Sequence, residues 1–169
     1  MTQSKKIGIL GVGNLLLADE GFGIHFIERL QNDFTFPPNV ELLDGGTAGI
    51  MLAPFMETKD VLFVIDVDNL KDEPGSIHLY SDQDIRSGNT HTKMSPHQVG
   101  LLEILDLCRL RGHAPERVEM ITVVPGDLSI RIGLSKEVTL ALDSVLDILM
   151  EKLHELDIFP VPATLAADA

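Results

Sequence analysis

The stretch "KKIGILGVGNLLLADEGFGIHFIERLQ", Lys5 to Gln31, sets the architecture of the whole chain. Lys5 to Gly13 reads as a buried strand that ends in the glycines Gly11 and Gly13. Gly21 to Gln31 reads as a helix whose apolar face is Phe22, Phe26, Ile27 and Leu30, spaced as one side of a helix requires. Strand, glycine turn and helix in that order form the opening unit of an α/β sheet. The turn is of the kind that binds nucleotide phosphates, yet it carries two acids, Asp19 and Glu20, where a phosphate would be expected.

Outward from this unit the alternation continues. After the Pro37-Pro38 break, "NVELLDGG" is a second strand stopped by glycines, and "AGIMLAPFMETK" predicts a short helix interrupted by Pro54. "DVLFVIDVDNL" is continuously apolar from Val61 to Ile65, as a central strand covered on both faces must be. "GSIHLYSD" follows a Pro74-Gly75 turn so closely that it implies an antiparallel neighbour. "SPHQVGLLEILDLCRLRG" predicts a helix with Ser95 as N-cap, Pro96 at the first helical position, Gln98 closing a capping box and Gly112 beyond its end. "RVEMITVVPG" supplies the last strand. "LSKEVTLALDSVLDILMEKLHEL" supplies a final helix with Ser135 as N-cap and an apolar stripe at Val138, Leu142, Val145, Leu146, Leu149 and Leu153. The expected fold is α/β: a single-domain three-layer sandwich with a twisted, mostly parallel sheet of five strands, one of them antiparallel, and helices on both faces. The domain is expected over residues 1–157, with a loosely ordered tail over 158–169.

The chain has 169 residues, 44% of them apolar, enough for one compact core and too few for a second domain. Thirteen basic residues stand against 26 acidic ones, a formal charge of −13, so the chain carries no footprint for nucleic acid or an anionic membrane. Cys108 is the sole cysteine, which excludes a disulfide framework, a thiolate zinc site and an iron–sulfur cluster within one chain. No signal peptide or membrane span is expected, and cytoplasm is the expected compartment.

Gly11 and Gly13 occupy the first two positions of G-x-G-x-x-G, but Leu16 replaces the third glycine, the one that lets helix and strand pack closely. Asp44, which ends the second strand, lies beyond the usual spacing for a ribose-binding acid. Nucleotide binding is therefore disfavoured, and an acid-lined site needs another explanation. Asp19 suits an N-cap or dipole-compensating role. Glu20 stands beside Gly21 and Gly23, which strip the first helical turn of side chains and open space around its carboxylate. Asp66 ends a buried strand, where a carboxylate either caps the following turn, as Asp68 beside it also could, or pairs with a cation. His97 falls in the first turn of its helix, where the positive dipole end keeps the ring neutral and able to bind a metal. Glu20, Asp66 and His97 would make an oxygen, oxygen, nitrogen set for a borderline divalent ion with open positions. Cys108 is mid-helix and expected to be packed. No G-x-S-x-G elbow exists for a serine hydrolase.

"GVGNLLLADEGFG", "LLDGGTAG", "VIDVD" and "SPHQVGL", in this order and spacing, closely resemble the nickel-iron hydrogenase maturation endopeptidases, and the resemblance runs from about Lys5 to about Leu153. It implies a metal-dependent peptidase that removes a C-terminal extension from the nickel-loaded precursor of the hydrogenase large subunit. It also implies that Glu20, Asp66 and His97 are the metal-binding and catalytic positions. The nickel would be supplied by the substrate, with no permanent metal held by the protease. The loop of Asp44, Gly45 and Thr47 is then either a tight turn or a substrate-binding element. The partner would be the precursor, with no nucleic acid and no membrane, and the protease itself would be a monomer. The alternative is a non-catalytic metal- or nucleotide-binding α/β module.

Overall fold

A computed structural model describes residues 4–87 and 96–166. Its strands are β1 (Ile7–Val12), β2 (Phe34–Thr35), β3 (Val40–Gly46), β4 (Val61–Val67), β5 (Ile77–Tyr80), β6 (Arg117–Val123) and β7 (Val161–Pro162). Its helices are α1 (Phe22–Asp33), α2 (Ala53–Met56), α3 (Asp82–Ser87), α4 (Pro96–Leu110), α5 (Lys136–His154) and α6 (Ala163–Ala166), with 3-10 turns at Ala18–Gly21 and Gly49–Leu52. The main sheet has the order β3-β1-β4-β6-β5. β3, β1, β4 and β6 are mutually parallel, and β5 is antiparallel to β6. The expected α/β sandwich is what the chain forms.

The antiparallel strand differs from expectation in its partner. β5 follows β4 after a short link, but β6 lies between them. The intervening residues need reach only about 10 Å to step over one strand position, so a short link does not force direct pairing.

Strand alternation sorts the core into two layers. Ile7 and Ile9 of β1 and Val61, Phe63, Ile65 and Val67 of β4 face α1 and α5, meeting Phe22, Phe26, Val145 and Leu149. Leu10, Val12, Leu62 and Val64 face the other way, against Leu52 and Met56 and against Leu101, Ile104, Leu105 and Cys108 of α4. Asp66, two residues beyond Val64, therefore belongs to the α4 face. Pro54 starts α2 instead of interrupting it, standing in its first turn where a missing N–H costs nothing. Ser135 caps α5, accepting from the N–H of Val138 at 3.4 Å. Gly112, at φ +74°, terminates α4, and His113 N–H reaches back to the Cys108 carbonyl at 2.9 Å.

The third glycine missing from the nucleotide fingerprint has a functional substitute. A Cβ on Gly23 would lie 2.4 Å from the carbonyl oxygens of both Val12 and Ile65, and one on Gly11 would lie 2.2 Å from the Gly23 carbonyl. Helix α1 thus sits directly on the backbones of β1 and β4 through Gly23. The segment expected as a loose tail begins at residue 158. Ile158 is buried, and Val161 and Pro162 pair antiparallel with Thr35 and Phe34.

Candidate functional site

The chain passes from β1 to β3 on one side, then returns across β1 to β4 on the other. The carboxyl ends of β1 and β4 are therefore the topological switch point, where open α/β sheets hold their ligands. Glu20 follows β1 and Asp66 lies within the end of β4.

Glycine geometry brings Glu20 back to this edge. Gly13 has φ +145°, and a Cβ there would meet the Glu20 carbonyl oxygen at 1.9 Å. Asn14 N–H donates to that same carbonyl at 3.0 Å, so the loop folds tightly onto the strand end. Glu20 is half-buried there. Asp19 beside it is fully buried but does not cap α1, whose N-cap position is Gly21 with no side-chain bond. The 3-10 turn sets Asp19 ahead of the helix, where its carboxylate collects three backbone N–H groups from the loop after β6. Oδ2 accepts from Gly126 and Asp127, each at 2.8 Å, and Oδ1 accepts from Ser135 at 2.6 Å.

Asp66 is 0% exposed. Its Oδ1 accepts from the N–H of Val67 at 2.8 Å, while Oδ2 has no hydrogen-bond partner among the described residues. Burial pushes its pKa well above the usual aspartate range, and the negative charges of Glu20 and Asp68 push it further. The Val67 N–H acts in the opposite sense without prevailing. Glu20 and Asp68 thus both bring negative charge to bear on Asp66 at the sheet edge. Asp68 is also buried, and Tyr80 donates its O–H to Oδ2 at 2.6 Å. Burial first, and then this carboxylate, raise the Tyr80 pKa. The sequence reading gave Asp68 only a capping role; the D-x-D spacing around Val67 was the signal that a second acid stood near Asp66.

Helix α4 begins at Pro96 as expected, which places the His97 backbone in its first turn, on the sheet face that Asp66 shares. The His97 and Gln98 side chains and Ser95 lie outside the described residues. Among the described residues no group of three or more His, Cys, Asp or Glu side chains has metal-holding geometry. The expected trio would draw its third member from the undescribed His97 side chain.

The D-G-G-T loop divides its roles. Asp44 Oδ1 accepts from Gly46 N–H at 2.9 Å, making a local turn. Gly45 is buried against Leu10 and Gly11. Thr47 lines a cleft of about 190 Å³ with Val12, Gly46, Gly49, Leu52, Gly100, Leu101 and Ile104. This cleft joins the carboxyl end of β1 to the first turns of α4. Cys108 is fully buried in the α4 core, where burial pushes its thiol pKa up, so it offers no nucleophile.

Known proteins resemble the chain in sequence and in fold. The model of the hydrogenase maturation protease family HycI matches residues 24–152. The hydrogenase 2 maturation protease of Escherichia coli K12 is 35% identical over 158 residues, 93% of this chain and 96% of that protein. The solved hydrogenase maturating endopeptidase HybD from E. coli superposes with a TM-score of 0.87 at 34% identity, covering 94% of this chain and 98% of that one. The [NiFe] hydrogenase maturation protease HybD from Thermococcus kodakarensis gives a TM-score of 0.69 at 25% identity, covering 88% and 98% respectively.

Proposed function

Because the chain belongs to the hydrogenase maturation protease family, we propose that it removes a C-terminal extension from a nickel-iron hydrogenase large-subunit precursor and recognises nickel already seated in that precursor. Glu20, Asp66 and His97 are the groups that meet the substrate's nickel. One endopeptidase domain over residues 1–157 carries the activity, acting as a cytoplasmic monomer. No described helix is long and apolar enough to cross a membrane.

The observation that carries this reading is the Asp66 carboxylate. It is fully buried, opposed by two other acids, and has an oxygen with no partner among the described residues. An arrangement so unfavourable to an isolated chain becomes favourable when a cation arrives. Oxygen and imidazole donors without a thiolate bind a borderline divalent ion weakly and reversibly. That suits a protease which must release its product after nickel has stayed behind in the hydrogenase.

Peptide hydrolysis then needs a polarised carbonyl, an attacking water and an acceptor for the water's proton. Substrate nickel beside the scissile bond supplies the template and the polarisation. The carboxylates at this edge, Glu20 and Asp66, are the groups that can take the proton. The cleft beside Thr47 accommodates peptide next to the bond, with Asp44 and Gly45 shaping the loop that forms its wall.

The test is processing of nickel-loaded and nickel-free precursor side by side. Cleavage of the loaded form alone is expected. Equal cleavage of both would overturn nickel recognition.

A further inference from the structure

The loop that Asp19 gathers carries an unusual surface. Ile130 is 89% exposed, Ile132 74% and Leu128 42%, and Leu16, from the loop that leads into Glu20, is 60% exposed. These residues belong to one structural unit. Leu17 and Arg131 form a parallel bridge, Ala18 N–H donates to the Arg131 carbonyl at 2.7 Å, and Arg131 N–H donates to the Leu16 carbonyl at 3.0 Å. With the three N–H groups held by Asp19, both loops are fixed although their apolar side chains face water.

We propose that this arm, Leu16 with Leu128, Ile130 and Ile132, is the docking surface for an apolar patch on the hydrogenase large-subunit precursor, beside the segment to be cut. The inference rests on the function proposed above and adds where the substrate protein is held. Continuity with the site favours this occupant, since Leu16 stands four residues before Glu20 and shares its loop. Charge agrees. The chain carries −13 overall, but Asp127 and Arg131 of the arm pair with each other at 3.0 Å, so the arm meets its partner through apolar contact. Size separates a substrate from a permanent subunit: four such side chains expose a few hundred Å², typical of a functional patch, whereas a stable dimer buries about 800 Å² per partner. A transient encounter that ends when the product leaves fits the smaller area.

The experiment compares wild type, an Ile130→Ser/Ile132→Ser double variant and a Leu110→Ser control. Leu110 is 86% exposed at the end of α4, away from the arm. Each is assayed on nickel-loaded precursor for KM and kcat, by calorimetry for precursor affinity, by thermal melting, and by sedimentation for self-association. Docking predicts a KM at least about tenfold higher in the double variant, from losing two buried apolar contacts. Calorimetric affinity should fall in parallel, with kcat, melting temperature and sedimentation unchanged and the control like wild type. Unchanged KM and affinity in the double variant overturn the proposal. So does a wild-type dimer that the double variant converts to monomer, because the arm would then join copies of this chain. Wild type that binds precursor without cutting it fails the function reading alone, and docking is then decided by the calorimetry. Wild type that does neither overturns both.

Discussion

Replacing Asp66 by Asn should stabilise the protein while abolishing its activity. The side chain is fully buried, with one oxygen bonded to the Val67 N–H and the other without a partner among the described residues. An isosteric amide keeps the first bond and removes a charge that burial, Glu20 and Asp68 all oppose. The amide leaves that second position without a partner too, so the gain comes from the charge alone, on the order of 1–3 kcal/mol, because an unpaired buried charge costs more than an unpaired neutral group. At roughly 3 °C per kcal/mol for a chain of this size, the melting temperature should rise by about 3–9 °C at pH 7.

The pH dependence identifies the cause. An acid whose folded pKa lies above its unfolded value binds its proton more tightly in the folded state, so stability falls as pH rises from the unfolded value, near 4, through the raised one. The advantage of Asp66→Asn should therefore vanish below about pH 4 and grow as pH rises toward the raised pKa. Nickel should reverse the order, since a cation that binds only folded wild type stabilises it by mass action and leaves the variant unaffected. Thermal melting of both proteins across pH, with and without nickel, reads all of this. A variant less stable than wild type at pH 7 would refute the reasoning, since Asp66 would then be a satisfied structural acid.

Other substitutions separate site from scaffold. Asp19→Asn must set its amide against at least one of the three backbone donors from Gly126, Asp127 and Ser135, and urea unfolding should show a loss of roughly 2–4 kcal/mol from disrupted charge-assisted bonds. Gly23→Ala would press a methyl into the Val12 and Ile65 carbonyls, with an expected cost of about 3 kcal/mol or more and a matching fall in midpoint. Glu20→Gln and His97→Ala should each keep the circular dichroism of wild type and fail to process precursor; normal processing by either removes that residue from the proposed site.

The architecture was legible because strand and helix periods alternate without ambiguity and because Pro96, Ser135 and Gly112 mark helix ends by their backbone chemistry. What pairing adds was less legible: whether β5 joins β4 or β6 depends on a strand that arrives forty residues later. The same holds for Asp19, which reads as a helix cap from its position, whereas its donors come from residues 126–135, more than a hundred positions away. Gly23 could not be recognised as the packing glycine because it stands outside the fingerprint spacing, and only the contact of α1 with both strands reveals it. Glu20 and Asp66 were legible as candidates because acids at strand ends and helix starts lie on the ligand edge of such sheets. Their mutual electrostatic influence, and that of Asp68, needed coordinates. The exposed arm was missed because isolated Leu and Ile residues in a loop show no periodicity.

The central claim is that a carboxylate after β1, another at the end of β4 and an imidazole at the start of α4 meet one cation. Anomalous scattering at the nickel edge from crystals of the protein soaked in nickel tests it most directly. The account predicts one strong site with Glu20, Asp66 and His97 all within about 2.0–2.2 Å of the ion, the usual range for oxygen and nitrogen ligands of a borderline metal. Nickel bound elsewhere, or at this edge without the His97 ring, would contradict it.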